Sequence, residues 1–416
     1  VSATRGGTFR SLRQRNYRLW AAGALVSNIG TSVQRTAQDW LVLTVLTHRS
    51  ASALGVVMAL QYAPQLLLLP WTGSAADHIN RRKLLMATQA AMGVLALILG
   101  ALTVIGLVRL WQVYVFAAMF GAAAAFDAPV RQTFVAELVG EEDLHNAVTL
   151  NSMSFNIATL LGPVVSGFII AASGTGWAII MNGASFFAVL ASLLLLREGE
   201  LHLSIQATRA RGAFVQGLRY VRGRTDLIVI LVMLFLIGTF GLNFPIFISV
   251  MAVRVFHTDA RGFGILSSVM AVGTVGGAFL SAHGARPSLK TLLWSAALLG
   301  IGFSLAAFAP GYWSFAATLV IVGVAYLTFI NGTNGLMQLS TEPAMRGRVM
   351  ALRIGVALGC MPIGAPTVGW VADHLGPRWA LGVGAASGFA AACVGAWALR
   401  PGGFTPWTPD RRAAGV

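Results

Sequence analysis

Twelve long apolar runs dominate this chain, and they leave little choice of fold. They cover residues 19–46, 53–76, 84–107, 110–130, 147–173, 177–196, 227–253, 262–283, 291–309, 312–340, 349–372 and 379–399. A helix crosses a hydrocarbon core of about 30 Å with about 20 residues, and each run is close to that length or longer. None shows the two-residue alternation of a membrane β-strand. Most are joined by short polar connections, so the sequence predicts an all-α, multi-pass membrane protein. Composition agrees. Charged residues make up 10% of 416 residues and hydrophobic residues 56%, whereas a soluble domain carries roughly a quarter charged residues. The 47 glycines suit close helix packing in lipid.

The net charge of +15 raises nucleic acid as a partner, but its distribution argues against it. The basic residues sit in short segments between apolar runs, where they set orientation. With both termini placed in the cytoplasm, the segments on that side hold 22 basic residues. The opposite loops hold five: Arg49, Arg109, Arg254, Arg261 and Arg378. Arg35 and Arg353 lie inside runs. The asymmetry predicts cytoplasmic termini and residence in the plasma (inner) membrane. Residues 1–18 then form a cytoplasmic segment, with Phe9 to Arg18 a basic amphipathic stretch on the membrane surface. Residues 400–416 form a cytoplasmic tail. The first run is too long for a signal-peptide core. Cys360 and Cys393 both lie inside apolar runs and read as packing, with no disulfide framework or metal-ligand cluster.

The longest internal connection, Arg197 to Asp226, divides the runs into six and six. The halves are 19–196 and 227–399, with 197–226 as a cytoplasmic linker. A shift of 202 residues places Trp111 on Trp313, Gly121 on Gly323, Leu150 on Leu352, Gly162 on Gly364 and Gly167 on Gly369. A shift of 208 places Ile29-Gly30-Thr31 on Ile237-Gly238-Thr239. Two repeated six-helix halves describe a well-known transporter design with the substrate site between them.

The first run carries Asn28, Ser32, Arg35 and Asp39, at steps of 4, 3 and 4 that share one helix stripe. Charges at membrane depth should face protein or a wet cavity. Asp39, and at the membrane edge Asp127, are the acids at that depth. Two readings stay open: a carboxylate that couples proton movement to transport, or a structural ion pair with Arg35 that offsets its own burial. Further polar residues that could line a cavity are Gln61 and Gln65, Asn151 and Asn156, Asn243, and Asn331, Asn334 and Gln338. Each also serves as helix–helix glue.

Two motifs carry a resemblance. The second connection reads Gly73-Ser-Ala-Ala-Asp77-His78-Ile79-Asn80-Arg81-Arg82-Lys83. It resembles the major facilitator superfamily signature G-x-x-x-D-[R/K]-x-G-[R/K]-[R/K]. His78 replaces a basic residue and Asn80 a glycine; Asn tolerates the left-handed turn next best. In the fifth run, Ala158 to Gly167 with Gly162-Pro163 resembles the drug:proton antiporter signature G-x-x-x-G-P-x-x-G-G. Segments 37–42, 127–132 and 346–350 are similar to the enterobactin-exporter-like, transmembrane secretion effector branch. The resemblance covers about residues 9–399. It implies the twelve-helix major facilitator fold and a conformational latch of Gly73, Asp77, Arg81, Arg82, Asp127 and Arg131. In that latch Asp77 lies near the start of the eleventh helix, around Arg346 to Val349, and Arg81 reaches Asp127.

The function expected is secondary active export of a lipophilic or amphipathic small molecule, such as a drug, siderophore or natural product. Protons are the expected counter-substrate and alternating access the mechanism. A lipid transporter or flippase on the same fold and a nutrient importer are the alternatives. The expected partners are substrate, protons and membrane lipid, for a chain that works as a monomer. Gly284 to Thr291 nearly matches a nucleotide-binding loop, but Leu289 stands where its second glycine is needed and no strand precedes it. No nucleotide, cofactor or metal is expected, and no nucleophile–base set points to an enzyme.

Overall fold

The computed structural model describes residues 9–68, 71–72, 79–202, 213–283, 287–343 and 345–400. Among these residues the secondary structure is helical, with no strand. Twelve long helices match the twelve runs. Helix α1 spans Arg15–Trp40 and continues as a wider π turn over Leu41–Leu46. Next come α2 (Ala51–Leu67), α3 (Arg81–Val104), and α4 and α5, which divide the continuous stretch Leu110–Ser173. Helix α6 spans Thr175–Leu194. A linker helix, Ala213–Arg222, precedes α7 (Thr225–Val255). Then follow α8 (Ala260–His283), α9 (Leu289–Phe308), α10 (Tyr312–Leu339), α11 (Arg346–His374) and α12 (Pro377–Ala398). The outer surface suits lipid. Phe308 is 83% exposed, which water would penalise and hydrocarbon would not. Trp111 and Trp313 are also exposed, each in the first turn of its helix, as in a membrane-interface belt.

The chain divides into two compact units. Unit 1 comprises Val1–His48, Leu60–Thr208 and Thr258–Ser268, and unit 2 comprises Arg49–Ala59, Arg209–His257 and Val269–Val416. Each unit therefore takes one helix end from the other half of the sequence. The internal repeat is legible inside the units. In unit 1, Gly121 lies against the Gln61 carbonyl and Gly167 against the Ala260 carbonyl. In unit 2, Gly323 lies against the Met270 carbonyl and Gly369 against the Ala51 carbonyl. The same small residues, 202 positions apart, let the same helix pairs approach. A side chain at these points would strike backbone.

Several expectations change. The fourth run was expected to end at residue 130 and the fifth to begin at 147. Instead α4 continues to 139, α5 begins at 141, and the junction is Gly140, with φ 70° and ψ −179°. That left-handed φ favours glycine. Arg131, counted above among loop residues, therefore lies inside α4. Segment 9–18 is also anchored by side-chain bonds. Arg10–Arg13 forms one 3₁₀ turn, and the segment is tied to the α4–α5 junction and the end of α6. Ser11 N–H and Oγ donate to Asn146 Oδ1 at 3.0 and 2.8 Å, and Gln14 donates to Asp143 at 2.9 Å. Arg10 pairs with Asp143. Asn16 exchanges two 3.0 Å bonds with the Arg197 backbone. The buried Tyr17 hydroxyl donates to the Ala147 carbonyl at 2.8 Å. Behind these bonds Trp20, Leu85, Phe134, Leu138 and Leu193 close the apolar core at this end of unit 1.

Candidate functional site

The α1 stripe is the less buried face of its helix. Gly30, Val33, Gln34 and Ala37 are buried, whereas Asn28, Ser32 and Asp39 are half-buried and Arg35 is exposed. Arg35 and Asp39 are not within ion-pair distance of each other. Neither forms a salt bridge with any described residue. The antiporter-like segment of α5 packs directly on this helix. Gly162 lies so close to Ser32 that a Cβ would overlap its hydroxyl. Ser166 Oγ donates to the Val33 carbonyl at 2.9 Å. Pro163 and Gly167 face the other way, toward Gly264 and Ala260 at the start of α8, a segment that belongs to unit 1.

Below the stripe, Asn28 joins a polar network. Its amide donates to Ser154 Oγ at 3.2 Å, and its Oδ1 accepts from Arg131 at 3.4 Å. Arg131 Nε also donates to Asp127 Oδ2 at 3.0 Å, one helical turn away. Asp127 Oδ1 accepts from Thr88 Oγ1 at 2.8 Å and Gln89 Nε2 at 2.7 Å, both on α3. A carboxylate whose side chain is only 8% exposed is satisfied by three donors, one of them charged.

The resemblance implied that Arg81 reaches Asp127, but it does not. Arg81 pairs with Glu137, in the last turns of α4. Asp127 is already engaged by Thr88, Gln89 and Arg131. Arg82 pairs with Glu198 and donates to the Leu193 carbonyl at 2.8 Å. Asn80 holds no left-handed turn: its φ is −55°, and its side chain caps α3 by accepting from Lys83 N–H at 3.1 Å. Gly73 and Asp77, the centre of the expected latch, lie outside the described residues, as does His78.

The remaining polar positions separate. Gln65 donates to the Gln61 carbonyl one turn back at 3.1 Å, and Gln338 does the same to Asn334 Oδ1 at 3.2 Å. Asn151 is half-buried, and Asn156 and Asn331 are exposed. Asn243 is fully buried in unit 2, at a break where α7 leaves helical geometry over residues 242–243. Its amide donates to the Thr239 carbonyl at 2.7 Å, while its Oδ1 accepts no bond.

Residues 6–402 match the family described as transmembrane secretion effector. The chain belongs to this branch of the major facilitator superfamily. It is 29% identical to the multidrug efflux pump Tap of Mycolicibacterium fortuitum, over 85% of this chain and 88% of that one. It is 24% identical to the enterobactin exporter EntS of Shigella boydii, over 85% and 84%. Among solved structures it resembles a bacterial homologue of the human lysosomal transporter Spinster in an inward-facing, occupied conformation. The TM-score is 0.73 and the identity 13%, over 97% of this chain and all of that one.

This major facilitator transporter holds polar residues that the sequence did not single out. Thr88 and Gln89 looked like ordinary α3 positions, yet they hold Asp127. Glu137 lies beyond residue 130, where the fourth apolar run ends, yet it sits inside α4 and pairs with Arg81. Asp373, at the end of α11, accepts from the Ala51 and Ser52 N–H groups at 2.8 Å each and from Ser50 Oγ at 3.0 Å. It also pairs with Arg254 at the end of α7. It thus caps the start of α2, all within unit 2. At the linker, Arg224 grips Asp226 through two bonds of 2.8 and 2.6 Å and donates to the Ser340 carbonyl at 2.8 Å. The bond to Asp226 is the main cause raising the Arg224 pKa above its ordinary value.

Proposed function

We propose that this chain is a secondary active exporter in the plasma (inner) membrane. It moves a lipophilic or amphipathic small molecule outward, in exchange for protons, by alternating access. The observation that carries the reading is Asp39: a half-buried acid on the open face of α1, one turn from Arg35, with no salt bridge among the described residues. A carboxylate that no salt bridge with the described residues holds is able to change protonation as its surroundings change. Relatives named as a multidrug efflux pump and an enterobactin exporter give the direction of transport. The Gly162-Pro163 packing on α1 agrees with the antiporter resemblance. In this reading both termini and the linker are cytoplasmic, and the halves 19–196 and 227–399 alternate about the substrate. Gly73, Asp77, Arg81 and Arg82 act as the latch.

The test is substrate-driven proton flux in proteoliposomes, screened over a compound panel, with Asp39→Asn beside the wild type. The variant is expected to lose pH-gradient-driven export and to keep downhill counterflow, because Asn mimics the protonated acid. Gradient-driven transport that survives in Asp39→Asn would end the Asp39 coupling reading.

A further inference from the structure

Arg353 stands on α11, two turns after its start at Arg346. One nitrogen of its guanidinium donates to the Ile330 carbonyl at 3.0 Å and to Thr333 Oγ1 at 3.1 Å, both on α10. Nε is buried and has no acceptor. No described carboxylate pairs with it. A guanidinium carries five N–H donors, so most of its capacity is unspent. If α10–α11 glue were the whole role, a glutamine amide could supply it without a charge. A cation at membrane depth is costly unless an anion or water meets it. Here no anion comes from the described protein. Beyond Ile330 on the same helix, the Tyr326 ring meets Phe244 edge-on at a centroid distance of 5.0 Å, and Phe244 stacks on Phe303 at 6.1 Å. A cation next to an aromatic wall suits a molecule that is apolar along its body and acidic at one end. In unit 1 the exposed Arg35 likewise forms no salt bridge with a described residue.

We propose that Arg353 is an anion subsite. It binds the carboxylate, sulfonate or phenolate of an amphipathic substrate whose apolar body lies along Phe244 and Tyr326. The inference rests on the exporter reading and narrows its substrate to acidic amphiphiles. Guanidinium offers two parallel N–H groups to such an oxyanion, and the ligand supplies the charge that the protein does not.

The test uses the full chain in nanodiscs of zwitterionic lipid, so that no anionic headgroup competes. The probes are 8-anilinonaphthalene-1-sulfonate and N-phenyl-1-naphthylamine, which share an aromatic frame and differ in the sulfonate. Binding is titrated against protein-free nanodiscs for the wild type, Arg353→Gln and Arg353→Lys. Arg353→Gln should weaken sulfonate binding about ten- to hundredfold, the range of a lost charged hydrogen bond. It should leave the neutral probe unchanged, and Arg353→Lys should recover part of the loss. Equal loss of both probes, or an unchanged sulfonate affinity, overturns the subsite. Should Arg353→Gln fail to fold, the wild type decides: the sulfonate must raise its melting temperature more than the neutral probe, and an equal or absent rise overturns the proposal. Efflux of each probe from proteoliposomes separates the two claims. Neutral efflux without sulfonate binding removes the subsite and leaves the exporter. Sulfonate binding without efflux of any probe removes the exporter reading.

Discussion

Removing either charge of the Asp127–Arg131 pair should destabilise the transporter, and removing both should return much of the loss. Breaking a buried ion pair by deleting one partner costs about 3–5 kcal/mol, because the other charge is left uncompensated. The structure moderates that figure differently for each partner. In Arg131→Gln the stranded carboxylate keeps Thr88 and Gln89 as donors. In Asp127→Asn the stranded guanidinium keeps the long bond to Asn28, and its side chain is 18% exposed. Each remaining contact recovers about 1 kcal/mol, so each single substitution should cost about 2–4 kcal/mol. The double variant Asp127→Asn/Arg131→Gln places two amides side by side with no stranded charge. Its loss should fall short of the sum of the singles by at least about 1 kcal/mol. Denaturant titration of the purified protein, followed by tryptophan fluorescence, measures all four states. Additive losses would show that the two groups act independently, and the pair would then not hold α4 to α3 and α1.

The other predictions follow from single contacts. Gly162→Leu places a side chain into Ser32; it should lower both stability and transport, and Gly162→Ala combined with Ser32→Gly should recover part of each. Glu137→Gln removes the acid that pairs with Arg81; it should cost about 1–3 kcal/mol, and Arg81→Gln should cost less on that background than in the wild type, as a shared contact requires. Asp373→Ala leaves the first N–H groups of α2 and Arg254 without their shared acceptor; hydrogen exchange at Ala51 and Ser52 should accelerate at least tenfold, and unchanged protection would remove the cap.

How far the sequence reached depended on whether a residue's surroundings come from its own helix or from another. The helix count was legible, because a membrane helix must satisfy its backbone internally and its apolar length is written in one continuous run. The repeat was legible for a related reason. Gly162 and Gly364 each lie against the first helix of their half, at Ser32 and at Thr239, and a glycine needed for close approach leaves no alternative residue. The end of α4 was not legible. Asp127, Arg131 and Glu137 look like a chain leaving the membrane, and only α3 and α1 reveal that Thr88, Gln89, Arg81 and Asn28 solvate them inside the protein. The break in α7, by contrast, has a local cause: Pro245, in the first turn of the helix that resumes at Phe244, has no N–H for the Gly241 carbonyl, and its ring crowds that carbonyl. Resemblance failed at the same kind of place as the end of α4. It carried Arg81 to Asp127 by motif, while the protein offers that arginine a nearer acid in Glu137 and gives Asp127 its own arginine one turn away. A motif transfers residue types and spacing; which acid meets which base is decided by the neighbouring helix.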